Sequence, residues 1–213
     1  MGQVIVNERI IREDACVAEG AAWLVKADPR FAPALNDGPL PLRLKPDGFA
    51  ALLTAIVGQQ VSLASAAAIW SRLKADGCTD PAIVRTRSED ELRALGLSQQ
   101  KARYAHALAA ADIDYDGLHQ LSSDDVIKAL TAVQGIGPWT AEIYAMFSLG
   151  RADVFPAGDL ALQEAARVLF ELDTRPIAKD LRLMAEDWSP WRAVAARALW
   201  AHYKVIKSRE GVM

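Results

Sequence analysis

The chain has 213 residues, a hydrophobic fraction of 52% and a formal net charge of −3. A chain of this length can bury enough apolar surface to fold without a structural metal or disulfide. The slightly acidic balance argues against a protein that coats nucleic acid through bulk charge, but not against one that holds a few phosphates through backbone N–H groups. The two cysteines, Cys16 and Cys78, lie far apart and predict free thiols. No apolar run predicts a signal peptide or a membrane span.

The N-terminal part predicts one helix followed by a proline-rich connector. From Arg9 to about Lys26 the apolar residues recur with a helical period. Residues 31–46 hold four prolines, which predict an extended connector with a short β segment at 42–44. We therefore expect two parts: residues 1–46, a helix and connector that pack with the second lobe, and residues 47–213, the main helical core.

The rest of the chain predicts many short helices, each opened by a polar residue. Asp and Ser cap helix N-termini because their side chains accept backbone N–H bonds. The predicted caps are Asp47, Ser62, Asp80, Ser88 (with Glu91 in a capping box), Ser98, and Ser122 or Ser123. Because no alternating strand pattern of useful length follows, the sequence predicts an all-α fold.

A glycine-containing turn joins two of these helices. The sequence predicts helices over about 124–133 and 139–149, with Gln134, Gly135, Ile136, Gly137 and Pro138 between them. The glycines allow backbone angles closed to other residues or the close approach of another backbone, and the buried pin of the turn is the isoleucine. N–H groups at the start of the second helix can bind phosphate oxygens. The turn predicts either a DNA-binding helix–hairpin–helix or a plain αα-hairpin.

A lone acid, Asp159, follows the second helix at the start of another one. In one interpretation it is an N-cap only. In the other it is also catalytic, because a helix N-terminus stabilises an ionised carboxylate. A fixed anion can stabilise a sugar cation as a base leaves and can orient the attacking water.

Five ordered motifs together resemble the helix–hairpin–helix glycosylase superfamily of base-excision repair, and its DNA-3-methyladenine glycosylase II branch in particular. The motifs are IVGQQVS (56–62), LGLS (95–98) followed by Lys101 and Ala102, QGIGPWTA (134–141), DVFP (153–156) with Asp159, and WSPWR (188–192). The resemblance covers about residues 45–205 and is more specific than any single motif. It implies an all-α, two-lobed helical glycosylase fold with a helix–hairpin–helix at about 124–149 and without the N-terminal β domain of larger relatives.

The resemblance implies a role for each matched position. Asp159 corresponds to the catalytic aspartate, and Trp139 occupies the place of a nucleophilic lysine in the branch with lyase activity. Because tryptophan cannot form a Schiff base, we expect a monofunctional enzyme. Two cysteines are too few for the iron–sulfur cluster of some relatives, so we expect no cofactor.

Aromatic residues are candidates for the pocket that receives a flipped base. Trp139 and Trp200 match aromatic pocket positions of the family, and Tyr144 is a plausible neighbour, although each could equally belong to the core. Trp188 and Trp191 are predicted core residues. Aromatic faces attract cations, and N-alkylated purines carry positive charge while bonded to the sugar, so they leave without a strong general acid.

The resemblance also assigns DNA contacts. Gln60 aligns with the wedge that fills the gap left by the flipped base, and Gln59 braces the same loop. The predicted backbone contacts are Gly135, Gly137, Trp139 and Thr140, with Lys101 and Arg103 as the basic candidates; the alternative for both is a solvated helix face. A monovalent cation on hairpin carbonyls near Gln134 is the only metal that the resemblance suggests.

The predicted function is therefore hydrolysis of the N-glycosidic bond of alkylated purines in double-stranded DNA. The candidate substrates are 3-methyladenine, 7-methylguanine and 1-methyladenine. We expect a cytoplasmic, nucleoid-associated monomer with no membrane partner. The alternatives are a non-catalytic helix–hairpin–helix module that only binds DNA, and a glycosylase for other damaged bases.

Overall fold

The structure, a computed structural model, describes residues 8–36 and 38–210. Regular structure in these residues is helical, which confirms the all-α prediction; the β segment predicted at 42–44 is not formed, and the only bridge described joins Ile10 and Arg151. The α-helices are α1 (Asp14–Ala27), α2 (Ala32–Leu35), α3 (Phe49–Gly58), α4 (Leu63–Ala75), α5 (Pro81–Thr86), α6 (Glu89–Ala94), α7 (Gln99–Ala110), α8 (Tyr115–Leu118), α9 (Ser123–Thr131), α10 (Pro138–Phe147), α11 (Leu160–Leu169), α12 (Ala178–Met184) and α13 (Arg192–Glu210). Short 3₁₀ helices cover Pro29–Phe31 and Ala185–Trp188.

Side-chain caps begin most of the short helices, as predicted. The capping box at Ser88 and Glu91 is complete, because each side chain bonds the other residue's backbone N–H. The other confirmed caps are Ser62, Asp80, Ser98 and Ser122, each of which accepts a backbone N–H two or three residues later.

The predicted cap at Asp47 is wrong. Helix α3 begins one residue later than that prediction requires, so Gly48 occupies the cap position with a φ of 91°. The Asp47 carboxylate lies 2.7 Å from Nε2 of His119 instead. A capping carboxylate must reach the second or third helical N–H, and one extra residue moves it out of range.

The described chain divides into two compact units, and the first is Lys45–Tyr144. Within it α7 packs against α3, α5 and α6. Helix α3 can pack in this way because its buried residues fall at the i, i+3, i+4 and i+7 positions, which lie on one helical face. These residues are Phe49, Leu52, Leu53 and Ile56.

Among the described residues, the second unit combines 8–44 with 145–210. Helix α13 is its centre and packs against α1, α2 and α11. An aromatic cluster surrounds Trp188, whose ring lies 5.0–5.7 Å from those of Phe31, Phe155 and Phe170. Trp188 and Trp191 are 1% and 2% exposed, which confirms both as core residues. The predicted domain boundary between residues 46 and 47 concerns independent folding and stays a prediction.

No helix within residues 8–36 and 38–210 combines the length and the apolar character needed to cross a lipid bilayer.

Candidate active site and nucleic-acid interface

The predicted hairpin is formed by α9, the turn at residues 132–137, and α10. Ile136 is 4% exposed, and its N–H donates to the carbonyl of Val133, so it is the buried pin of the turn as predicted. Gly135 has a φ of 95°, and a Cβ there would lie 2.4 Å from the Tyr104 ring. Backbone conformation and lack of space therefore both require glycine at this position.

The second glycine of the hairpin, Gly137, is not required to be glycine by the fold of the described residues. Its φ lies outside the left-handed region, and a Cβ placed on it would meet nothing within 4 Å. Its carbonyl accepts the N–H of Ala141, so it stands at the entrance to α10. A helix entrance offers N–H groups that lack intrahelical partners. The open space beside Gly137 can therefore admit another molecule's backbone.

Two residues of the first turn of α10 differ in accessibility. Trp139 is 46% exposed, which leaves a large part of its ring open for stacking. Thr140 is 7% exposed, so the structure gives no support to its predicted contact with a phosphate. Helical geometry explains this difference, because adjacent residues point about 100° apart around the axis.

The segment between α3 and α4, residues Gln59–Ser62, is named the wedge loop. Gln60 is exposed and has a φ of 55°, an uncommon conformation for a residue other than glycine. Nε2 of Gln59 donates to the carbonyl of Gly135 over 3.0 Å. This bond ties the wedge loop to the hairpin turn, a contact that the sequence did not predict.

A large apolar side chain that sequence reasoning missed follows the wedge loop. Leu63, the first residue of α4, is 91% exposed, and Val61 in the loop is 38% exposed. Leu63 follows a Ser cap and therefore resembles the first core residue of a helix. Among the residues of α4 only Ile69 and Leu73 are buried, and the sequence alone does not show this.

Lys101 does not lie on the surface, and both of its predicted interpretations need correction. The residue is 9% exposed, and its Nζ donates to the carbonyl of Val57 over 2.7 Å. Burial lowers the pKa of the ammonium group. The Lys101 side chain faces inward because α7 packs directly on α3, and it cannot reach a phosphate on a bound duplex in this position.

Tyr144 is 4% exposed, and its hydroxyl accepts the N–H of Gly48 over 2.8 Å. Burial and the nearby charge of Asp47 raise the pKa of Tyr144 to about 12, although the Gly48 bond opposes them. The phenol is therefore neutral over the physiological pH range. Its role as a wall of the base pocket stays a prediction.

In the second unit, Asp159 is the N-cap of α11, as predicted. Its Oδ1 accepts the N–H groups of Ala161 at 2.8 Å and Leu162 at 3.2 Å. The preceding turn is fixed as well, since the Asp159 N–H donates to Pro156 and the Gln163 amide donates to Ala157. The carboxylate is half-buried, and its position is set by the helix rather than by a flexible loop.

A second acid, Asp153, anchors the segment that leads to Asp159. Its carboxylate accepts Nε and Nη2 of Arg192 at 2.8 and 2.9 Å and the Ser189 hydroxyl at 2.8 Å. Although burial opposes ionisation, these bonds outweigh it and lower the pKa of Asp153. Asp153 belongs to the DVFP motif and Arg192 to the WSPWR motif, so this two-bond ion pair joins two motifs that are far apart in the sequence.

Trp200 is partly exposed and packs in a layer with two other residues of the second unit. The Trp200 ring lies 5.9 Å from the Phe147 ring, and the Arg197 guanidinium lies 4.7 Å from the centre of that same Phe147 ring. Arg197 is 2% exposed, and burial together with the charge of Arg43 lowers its pKa to about 10. The layer holds Trp200 by packing, and its role as a pocket wall stays a prediction.

Within the described residues, no group of three or more His, Cys, Asp or Glu side chains could hold a metal ion. Near Gln134, where a monovalent cation was suggested, the carbonyl of Gly135 accepts the Gln59 amide.

The family model of the HhH-GPD superfamily of base excision DNA repair proteins matches residues 53–191. The matched segment contains the wedge loop, the hairpin and Asp159, whereas Trp200 lies beyond it. This match covers well over half of the chain, and the chain therefore belongs to the HhH-GPD superfamily.

Relatives from bacteria and yeast agree with this assignment. YfjP of Bacillus subtilis, provisionally named a DNA-3-methyladenine glycosylase, is 32% identical over 75% of this chain and 60% of its own length, so the chain spans about three fifths of that relative. The crystal structure of a DNA-3-methyladenine glycosidase from Bacillus halodurans matches with a TM-score of 0.79 and 31% identity, over 89% of this chain and 91% of that one. The Mag1 3-methyladenine DNA glycosylase of Schizosaccharomyces pombe, solved with abasic DNA, matches with a TM-score of 0.71 and 29% identity, over 85% and 95%.

Proposed function

We propose that this chain is a monofunctional DNA glycosylase that hydrolyses the N-glycosidic bond of alkylated purines in duplex DNA. The observation that carries the proposal is the carboxylate of Asp159, which is fixed by two backbone N–H groups at the start of α11. It lies within the segment that matches a base excision repair family. Names and titles of the matched relatives favour 3-methyladenine as substrate, with 7-methylguanine and 1-methyladenine as further candidates.

The chemistry needs only one carboxylate. An alkylated purine carries positive charge, so the bond between C1′ and the base nitrogen can break with both electrons going to the base. The sugar then becomes a cation, which the Asp159 carboxylate stabilises electrostatically. Water adds to C1′, and its proton passes to Asp159 or to solvent, which leaves an abasic site and a free neutral base.

Absence of lyase activity follows from Trp139. An abasic-site lyase needs an amine to form a Schiff base with C1′, and the indole of Trp139 has no amine to offer. The exposed part of this ring can instead stack on a flipped base. The rings of Tyr144 and Trp200 are proposed as further walls for the base.

DNA is held by the hairpin and opened by the wedge loop. The N–H groups around Gly135, Gly137 and Trp139 bind phosphate oxygens at the start of α10, where the helix dipole favours anions. Gln60 enters the space left by the base, and Leu63 packs its exposed side chain against the minor groove. Such backbone contacts account for DNA binding by a chain whose net charge is −3. The proposed enzyme acts as a monomer on nucleoid DNA in the cytoplasm and needs no cofactor.

The test is release of free base from methylated duplex DNA, followed by chromatography. We expect 3-methyladenine from the wild-type chain, no strand cleavage, and no covalent adduct after treatment with borohydride. Failure to release any methylated base would refute the enzyme and leave a DNA-binding module. Release of base only from oligonucleotides with an oxidised or mismatched base would place the chain among glycosylases for other lesions. An adduct trapped by borohydride would refute monofunctional action.

A further inference from the structure

The lysine in the first turn of α7 occupies an unfavourable place. Lys101 is the third residue of its helix, where the helix dipole disfavours a cation. It is also 9% exposed, and burial lowers the pKa of its ammonium group. In the part of the chain that the structure describes, no carboxylate forms an ion pair with it. A charge that is both buried and misplaced must gain an offsetting interaction.

The offsetting interaction is one short hydrogen bond to the end of α3. Nζ of Lys101 lies 2.7 Å from the carbonyl oxygen of Val57, the second-last residue of that helix. The last carbonyls of a helix lack intrahelical partners, and this end of the dipole attracts a cation. Charge assistance makes such a bond stronger than one between neutral groups. The ammonium therefore fixes the C-terminal end of α3.

The wedge loop starts from the end that Lys101 fixes. Gln59 caps α3, and Gln60 follows it in the left-handed conformation, with a φ of 55°. This conformation costs about 1–2 kcal/mol for a residue with a Cβ, and it persists only where the surroundings impose it. The surroundings here are two ties: the Lys101 bond before the loop and the bond from Gln59 to Gly135 within it.

We propose that Lys101 is a positioning residue for base extrusion: its ammonium holds the end of α3 so that the wedge loop presents Gln60 to the duplex. The inference rests on the proposed function and deepens it. It assigns the charge to the protein interior, whereas a phosphate contact would require it at the surface. Loss of the bond should therefore impair opening of a paired base more than the chemistry that follows.

The test compares one lesion in two contexts: 3-methyladenine or a stable analogue, either paired in a duplex or unpaired in a small bulge. Extrusion costs least for an unpaired base. Excision by Lys101→Met is measured under single-turnover conditions for both substrates. Arg93→Met is the control, because Arg93 is an exposed cation on the neighbouring helix α6, 2.9 Å from Asp90, and has no predicted role in DNA binding.

We expect Lys101→Met to excise the paired lesion about tenfold more slowly, since one charge-assisted bond is lost, and to excise the bulged lesion within about twofold of the wild type. Arg93→Met should leave both rates within about twofold of the wild type. An equal loss on both substrates, or no loss on the paired one, overturns the proposal. So does a decrease of about one in the salt slope of DNA binding by Lys101→Met, which marks a phosphate contact.

Two controls keep the outcome interpretable. A wild-type chain that releases base from neither substrate would refute the proposed function, and this result is visible before any variant is measured. If Lys101→Met is unfolded at the assay temperature, Gln59→Leu is measured in the same way, because it removes the other tie of the wedge loop. An unchanged ratio of paired to bulged excision in Gln59→Leu would then overturn the positioning role.

Discussion

Asp159 is both a helix cap and the proposed catalytic anion, and substitutions can separate these two roles. Asparagine keeps a side-chain oxygen that can accept the N–H groups of Ala161 and Leu162, but it removes the charge. Alanine removes both the cap and the charge. Serine keeps a capping oxygen on a shorter, neutral side chain.

The expected magnitudes follow from the geometry. Loss of an N-cap costs about 1 kcal/mol, which lowers the melting temperature of a chain of 213 residues by about 2–4 °C. We therefore expect Asp159→Ala to melt lower by that amount, and Asp159→Asn and Asp159→Ser to melt close to the wild type. Loss of a preorganised charge costs a factor of about 100–1000 in rate, so all three variants should lose base excision by at least about 100-fold.

The assays are thermal unfolding followed by circular dichroism, and single-turnover release of 3-methyladenine from duplex DNA. Binding to a duplex with an abasic analogue serves as the control, and Asp159→Asn should bind it within a few-fold of the wild type. Wild-type excision rates for Asp159→Asn would refute the catalytic anion and leave Asp159 as a cap only. A loss of rate that merely follows the loss of stability across the series would refute it as well.

Two other side chains give independent predictions. Tyr144→Phe should lower the free energy of unfolding by roughly 1 kcal/mol, because the Gly48 N–H loses its acceptor, while excision stays near the wild-type rate; a large loss of excision would show that the hydroxyl itself contacts the base. Asp153→Asn should destabilise the chain by roughly 2 kcal/mol at pH 7, because the Arg192 pair is lost. Since the pKa of folded Asp153 is lowered, its contribution is present above the unfolded value of about 4 and is lost as the pH falls through the folded value. Chemical denaturation from pH 7 to pH 3 should therefore show the difference between wild type and variant shrinking, and a constant difference would contradict the ion pair.

The helices could be predicted because their signals are local. A Ser or Asp cap followed by apolar residues at helical spacing needs no information from distant parts of the chain, and α4, α6, α7 and α9 begin where these signals place them. Asp47 shows the limit of the same reasoning. The cap position of α3 is Gly48, whose N–H donates to a tyrosine nearly a hundred residues away, and no local pattern reports this bond.

The direction in which a side chain points was the harder part of the candidate site. Lys101 lies in a polar stretch that resembles a solvated helix face, yet the packing of α7 on α3 turns it inward. Leu63 resembles a core residue, yet it is almost fully exposed. In both cases the chemical character of the residue suggested the wrong side, because burial depends on which helices pack together rather than on the residue alone.

The two glycines of the hairpin provide a matched pair of substitutions that separates folding from DNA binding. Gly135→Ala places a Cβ 2.4 Å from the Tyr104 ring at a φ of 95°, so we expect a loss of at least about 2 kcal/mol of stability. Gly137→Ala places its Cβ in open space, so we expect stability within about 0.5 kcal/mol of the wild type. If phosphate approaches that space, the added methyl group should weaken binding to duplex DNA by about tenfold through loss of one N–H contact.

Denaturant unfolding and fluorescence anisotropy with a duplex that carries an abasic analogue measure these two quantities. The pattern expected is a folding defect in Gly135→Ala and a binding defect without a folding defect in Gly137→Ala. Wild-type affinity in Gly137→Ala would show that no phosphate lies beside this glycine. The exposed Trp139 would then be the better candidate for DNA contact by the hairpin. Gly135 would not replace Gly137 in that role, because its small size is already explained by the Tyr104 ring beside it.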